Sequence, residues 1–586
     1  MTEPDQAVIA RLSSDFAAVA AYLARASVDL RRLERIVADR PPPPQPFAGP
    51  ATAYWQPTAA PAEPVRQAPM PAVAAAPPPR SDGWIGKALA VAGVAVTLVG
   101  VALLLVLAAQ AGILRPEFRV SAGAVLAAAL VGSAWRLHGR TGGRVGAIAL
   151  AATGIAAAYI DVVAVTTIYR WVSAPVGLAI AAAVALAGLT LSRRWNSEHL
   201  GLLVLVPLIG VAPVVADGVT LPLVGFMLAL SAASVPVQLG RDWLALHAAR
   251  MAASTFPLLA ALALTFFSSE RSLVLAIACA VAGVLALASA LALLPYTRNS
   301  TAMALLSAMG TMPVLVSSLA VDASLAAVMA AAQAAVLLGL VLAGGRLAAV
   351  TTPVRAVWST LAAVSALIAV VTAFDGPIAG PVLLAMGVVV AVAGRGSLIT
   401  RWCALGFGVC GGLFQLGSAP LVTLISAIPV RAPIAGSVLV GSVLLVACAA
   451  ALARSWARDW CWATAAVVAL YGITAFAVTA GVLLGGEVDG FFAGHVAATI
   501  CWIALAASAF AYAARVPRAR RSLPLGGGVT LVAAAVAKLF LFDLGTLDGI
   551  FRVVVFIVVG LALLGMGAGY ARRLAQQDES ATPTRP

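Results

Sequence analysis

Ionisable side chains inside long apolar runs are rare in this sequence, and they are the first candidates for chemistry. Asp161 stands in AAAYIDVVAV and Lys538 in AVAKLFLF. Either one costs at least about 2.5–3.5 kcal/mol at the centre of a lipid-embedded helix, so each requires a partner or a function. They lie 16 and 15 residues in from run starts near Val145 and Leu523. Two runs crossing in the same direction would hold them at one depth. An Asp161–Lys538 ion pair is therefore the economical expectation, either as a working site or as a packing pair that fixes helix register. A Lys538 that snorkels without a partner is a third reading.

Asp543 follows Lys538 by five residues, about 7.5 Å along a helix. Asp548 falls in the turn beyond, and Arg552 opens the next run. Asp543 and Arg552 flank one tight hairpin, where they either clamp it or line an opening. His495, in FFAGHVAAT, lies one turn into its run, as a packing residue or as a proton-handling group. Glu117 and Arg119 border the first outer turn, and Glu487 and Asp489 a later one. Asp161, His495, Lys538, Asp543 and Arg552 all map to the outer half of the bilayer, so a polar cavity is expected to open outward.

Other chemistries leave no trace. There is no GxxxxGK[ST] phosphate loop, no HExxH and no DxD-like acidic cluster. The six cysteines, Cys279, Cys403, Cys410, Cys448, Cys461 and Cys501, sit in or beside apolar runs without a CxxC pair or histidine at ligand spacing. They read as small buried hydrophobes. No metal and no cofactor is expected.

These residues must be positioned by elements of one kind. The chain has 586 residues, 62% hydrophobic and only 10% charged, with a mean hydropathy of +1.01. A soluble domain carries about 25% charged residues, so too few are present here to solvate a surface. Disorder is excluded as well. An all-α polytopic membrane bundle remains. Eighteen apolar runs follow Trp84, beginning near residues 86, 118, 145, 173, 199, 219, 243, 272, 301, 324, 351, 377, 398, 434, 459, 491, 523 and 550. A spanning helix needs about 20 residues, so the connections are short. Gly408–Gly412 and Gly565–Gly569 have the spacing of close helix packing.

The net charge of +14 does not indicate nucleic acid, because the arginines are dispersed between apolar runs. They alternate. With the N-terminus in the cytoplasm, alternate connections hold 18 arginines, from Arg136, Arg140 and Arg144 through Arg193, Arg194, Arg241 and Arg250 to Arg521. The other connections hold Arg115, Arg119, Arg170, Arg271, Arg431 and Arg552. This is the positive-inside pattern, with both termini cytoplasmic in a bacterial plasma membrane. No cleavable signal peptide is expected in the first 80 residues.

Residues 1–40 place Ile9, Leu12, Phe16, Val19, Leu23, Ala26, Leu30, Leu33 and Val37 at alternating three- and four-residue steps. That is a short coiled-coil seam or a lone amphipathic helix. A partner helix would dock along residues 9–37. Residues 41–83 form a Pro/Ala-rich linker, with 14 prolines between 41 and 80. The bundle is expected to cover 84–571, and 572–586 to form a disordered cytoplasmic tail.

The region from Trp84 resembles a family of polytopic membrane proteins, the domain of unknown function 2339. The layout of heptad helix, Pro-rich linker and serial spans matches, as does AGILRPEFRVSAGAVLAAAL at residues 111–130. The segment AVAKLFLFDLGTLDGIFRVVVFIVVGLALL at 535–564, with Lys538, Phe540, Asp543, Leu544 and Arg552, is the most specific part. The resemblance implies a multi-helix membrane fold and no particular activity.

Three functions fit these residues. The first is a transporter or flippase of a hydrophobic or lipid-linked envelope component, in contact with membrane lipids. The second is a membrane-embedded transferase acting on outer-leaflet lipid-linked substrates, with Glu117, Asp543 or His495 as base. The third is a scaffold recruiting a partner through residues 9–37.

Overall fold

The computed structural model describes residues 100, 115–140, 143–268, 271–345, 349–394, 396–425, 432–517, 521–543 and 549–581. The expected coiled coil at 9–37 and the linker at 41–83 lie outside these residues. Every regular element among the described residues is a helix.

The first five long helices are α1 (Pro116–His138), α2 (Arg144–Val163), α3 (Ala174–Arg194), α4 (Glu198–Val215) and α5 (Leu221–Gln238). Then come α6 (Leu244–Ser268), α7 (Leu273–Leu293), α8 (Ser300–Gly310), α9 (Ala323–Ala343) and α10 (Thr352–Ala373). The remainder are α11 (Gly376–Ala393), α12 (Leu398–Ser418), α13 (Ala432–Trp456) and α14 (Asp459–Gly485). The last three are α15 (Phe491–Ala513), α16 (Ser522–Lys538) and α17 (Gly549–Ala581), and α17 carries the helix on through residues 572–581 of the segment expected as a disordered tail.

Their starts follow local chemistry. Ser197, Thr220, Ser272 and Asn299 accept hydrogen bonds from backbone N–H groups three residues on, capping α4, α5, α7 and α8. Pro116, Pro222 and Pro353 stand at the first positions of α1, α5 and α10, where a missing N–H costs nothing.

Fourteen stretches of the described residues are long and apolar enough to cross a membrane. One of them, Asp459–Ala513, contains both α14 and α15. Many large apolar side chains point away from the protein, among them Phe267, Leu342, Val467, Leu484 and Leu541. Such a surface belongs in hydrocarbon. The chain is a membrane protein with many spanning helices.

Helices pack mainly on their neighbours in sequence. α1 lies on α2, α3 on α4, α9 on α10, α11 on α12, α13 on α14 and α14 on α15. A core from α1 to α6 includes Tyr159, Leu189, Leu205 and Leu246, and another surrounds Trp358 of α10. Polar contacts join helices where apolar packing alone has no hydrophobic drive. Gln333 Nε2 donates to Ser365 Oγ at 3.1 Å, between α9 and α10. Gln415 Nε2 donates to Ser442 Oγ at 3.0 Å, between α12 and α13. Trp358 Nε1 donates to Ser307 Oγ at 3.1 Å, between α10 and α8.

Alternate connections meet on one face through hydrogen bonds. Arg144 Nη2, at the start of α2, donates to Trp195 O and Asn196 O after α3, both at 3.0 Å. Arg241, after α5, donates to Arg193 O at 2.8 Å. Asp242 accepts from Thr297 Oγ1 at 3.0 Å and from Arg298 N at 3.3 Å, after α7. Ser300 and Thr351 hydroxyls are 3.0 Å apart, which adds the start of α10. The opposite face joins in the same way. Arg271 pairs with Asp322, and Ser272 N donates to Ala320 O at 2.8 Å. The sequence alternation of arginines is therefore a real asymmetry between two faces over α1–α10. Arg250 is the exception. Expected in a connection, it lies within α6 and is fully buried.

The glycine pairs divide. Gly408 and Gly412 approach Cys448 and Leu445 of α13, as their spacing implies, whereas Gly565 and Gly569 meet no neighbour among the described residues. A close backbone approach is carried instead by Gly481 and Gly485 of α14 against Gly490, which ends the turn after α14, and Gly494 of α15. A Cβ on Gly485 would stand 2.9 Å from Gly490 Cα, and one on Gly494 2.7 Å from Val478 Cα. Gly494→Val should lower stability by about 1–3 kcal/mol through overpacking. Gly565→Val should leave it unchanged, and thermal unfolding in detergent distinguishes them.

Candidate functional site

Asp161 and Lys538 do not meet. α2 packs on α1, α3 and α4, whereas α16 packs on α15. Matched depth is a condition on one coordinate only, and lateral position is set by which helices pack together. The carboxylate of Asp161 instead lies against Gly123 of α1, and its Oδ2 is buried without a hydrogen-bond partner among the described residues. Arg119 stands one turn from Gly123 on α1 and is half-buried, while Glu117 in the same first turn is exposed. Of the expected residues, Arg119 is thus the basic group placed nearest in register to Asp161.

Beyond Asp161 the helix widens into a π turn, Ala164–Ile168. Its two threonines bond back to carbonyls in the last turn of α2. Thr166 Oγ1 donates to Val162 O at 2.6 Å and Thr167 Oγ1 to Val163 O at 2.7 Å. Such turns recur at functional sites.

Lys538 sits at the end of α16, half-buried, and is followed by a second π turn, Leu539–Asp543. Its Nζ donates to Thr499 Oγ1 at 2.7 Å and to His495 O at 3.4 Å, both on α15. Thr499 Oγ1 itself donates to His495 O at 3.0 Å. His495 and Thr499 are buried, and the His495 ring stands edge-on to Phe491 with centroids 4.5 Å apart. The structure therefore joins Lys538 and His495 through the histidine's backbone carbonyl. Asp543 closes the π turn and Arg552 is half-buried in the first turn of α17. Residues 544–548 between them lie outside the described residues. A third π turn, Gly486–Gly490, precedes α15 and carries Glu487 and Asp489, both exposed.

The sequence reading missed a second polar centre. Arg250 and His247 are both fully buried in α6, with Arg250 Nη2 2.6 Å from His247 Nδ1. A guanidinium only donates, so His247 Nδ1 accepts and the ring proton is on Nε2. Arg250 Nε and Nη1 and His247 Nε2 are then three buried donors without an acceptor among the described residues. α5 and α6 form an antiparallel hairpin, and α5 carries Ser231, Ser234 and Gln238 in i, i+3, i+7 spacing, all buried. Gln238 has both its side-chain polar atoms unpartnered. The signal was present in the sequence, since Arg250 follows the start of its run by several residues. Glu198 Oε1 accepts from Leu246 N at 3.1 Å, and no bond from Glu198 to Arg250 occurs among the described residues.

Two cavities, of about 550 and 770 Å³, lie on the basic face. Arg193 and Arg241 line both, whereas Asp161 and Lys538 line neither. No group of three or more His, Cys, Asp or Glu side chains suited to a metal occurs among the described residues.

Removing the Thr499 hydroxyl takes one acceptor from a membrane-embedded ammonium. Thr499→Val should cost about 1–3 kcal/mol. Adding Lys538→Met should restore part of that loss, and a double-mutant cycle by thermal unfolding measures the coupling.

Comparison with known proteins gives one match. The family described as predicted membrane protein, domain of unknown function 2339 (DUF2339), matches residues 86–421 and 377–572. No curated protein and no solved structure matches the chain.

Proposed function

Since the chain belongs to this family of predicted membrane proteins, we propose that it is a transporter or flippase of a hydrophobic or lipid-linked envelope component bearing an acidic head group. The observation behind this reading is Arg250. A guanidinium fully buried in a spanning helix, with no carboxylate beside it among the described residues, is costly as a structural device. Replacing buried charges by apolar groups is often neutral or stabilising, so stability does not explain it. Recognition of a passing anion does.

Lys538 with Thr499, and Asp161 beside α1, are proposed as the polar groups nearer the other face, and His495, Asp543 and Arg552 as their surroundings. Each of Lys538 and Asp161 immediately precedes or opens onto a π turn, a local widening that lends itself to rearrangement. The proposed topology has eighteen crossings, with the arginine-rich face and both termini in the cytoplasm of a bacterial plasma membrane. Short outer connections disfavour the transferase reading, and eighteen crossings exceed what a scaffold anchor needs.

Arg250→Met should accumulate and melt at or above the level of the unmodified protein. In a deletion strain it should fail to restore the envelope lipid and glycan profile, as should Lys538→Ala at equal membrane abundance. If both variants restore the profile while removal of residues 1–40 does not, transport is wrong and the scaffold reading replaces it.

A further inference from the structure

The two cavities on the basic face adjoin a set of groups that the transport reading leaves unused. Arg193 and Arg194 lie in the last turn of α3, and Arg241 lies in the turn between α5 and α6. Arg193 donates to Pro236 O, one of the open carbonyls at the end of α5, and Arg241 donates to Arg193 O at 2.8 Å. Arg194 lies over the Trp135 ring at 5.6 Å and Arg241 over Trp243 at 4.9 Å. These contacts hold the three guanidinium planes in place but occupy few donors. A guanidinium carries five N–H groups, and the hydrogen bonds named here use one on Arg193 and one on Arg241.

The nearby acids are not paired directly with them. Asp242 lines the smaller cavity, but its carboxylate accepts from Thr297 and Arg298 N. Glu198 caps the start of α6. Among the described residues neither forms an ion pair with the three arginines.

The larger cavity continues past the arginines along Val131, Ala187 and Leu191. Val131 is one turn deeper along α1 than Trp135, and Ala187 is two turns deeper along α3 than Arg194. A charged mouth therefore leads into an apolar trough. Trp135 is 52% exposed at the mouth, at the level where indoles sit among lipid head groups.

We propose that this groove binds a phosphate-bearing anion, held by Arg193, Arg194 and Arg241. The phosphate belongs to an anionic phospholipid whose acyl chain follows the trough. Planar guanidinium groups match phosphate in bidentate geometry, and the apolar continuation favours a lipid over free phosphate. The site is separate from Arg250, and its binding does not depend on transport.

The test uses the purified full-length protein in neutral detergent, with phosphatidylglycerol, phosphatidylcholine or inorganic phosphate added separately. Phosphatidylglycerol should raise the Tm by about 5 °C. Phosphatidylcholine and inorganic phosphate should give less than a third of that shift. The variant R193Q/R194Q/R241Q should lose the phosphatidylglycerol shift, and R454Q/R458Q, in another connection, should keep it. An equal shift with phosphatidylcholine, or a full shift in the triple variant, overturns the proposal. An equal shift with inorganic phosphate overturns the lipid source.

Because Arg193 also caps α5, quenching provides a readout that needs no arginine substitution. Dibrominated phosphatidylglycerol should quench the unmodified protein more than Trp135→Phe, and dibrominated phosphatidylcholine should quench both alike. Equal quenching of both proteins by the phosphatidylglycerol overturns the proposal.

Discussion

A polar group held away from water must find its partner inside the protein. In lipid this rule is at its strictest, because an unmet backbone group costs several kcal/mol. The architecture follows from it. Every regular element among the described residues is a helix, which satisfies its own backbone. Side chains add to the ladder at its irregular turns. Thr166 and Thr167, in the π turn after Asp161, bond back to Val162 O and Val163 O. Gln333, Gln415 and Trp358 each reach a serine on another helix. Tyr471 of α14 donates to Ala419 O at 2.8 Å, at the end of α12. These bonds give direction to helix faces that are otherwise uniformly apolar.

Against this rule the exceptions carry the interest. The three donors of Arg250 and His247 are buried and unmet among the described residues, in a protein that elsewhere brings a serine to a glutamine. Asp161 is half-buried against a glycine with one oxygen unmet among the described residues. Lys538 shows the resolved version of the same problem. Its ammonium reaches a hydroxyl and a carbonyl of α15 among its partners.

Much of the fold was legible in the sequence. The run starts from 118 to 550 fall within about two residues of the starts of α1 to α17, because caps, prolines and arginines punctuate the apolar runs. The two-faced distribution of arginines was legible over α1–α10 for the same reason. Lateral neighbours were not. Asp161 and Lys538 stand at similar distances from the starts of their runs, yet packing sends them to different partners, and no pattern along one chain reports which helices touch. Arg250 was misread because a single arginine close to a helix start resembles a connection charge by composition. Gly565 and Gly569 have the right spacing and meet no neighbour among the described residues, whereas Gly481, Gly485, Gly490 and Gly494 work because a hairpin sets two such pairs against each other.

The bonds that tie alternate connections together on the basic face have a mechanical consequence. Successive hairpins from α1 to α10 are strapped to one another there by Arg144, Arg241, Asp242 and Ser300. On the opposite rim the ties among the described residues are fewer, Arg271 with Asp322 and Ser272 N with Ala320 O. A bundle tied at many points along one rim and at few along the other yields first at the sparsely tied rim, as a book opens away from its spine.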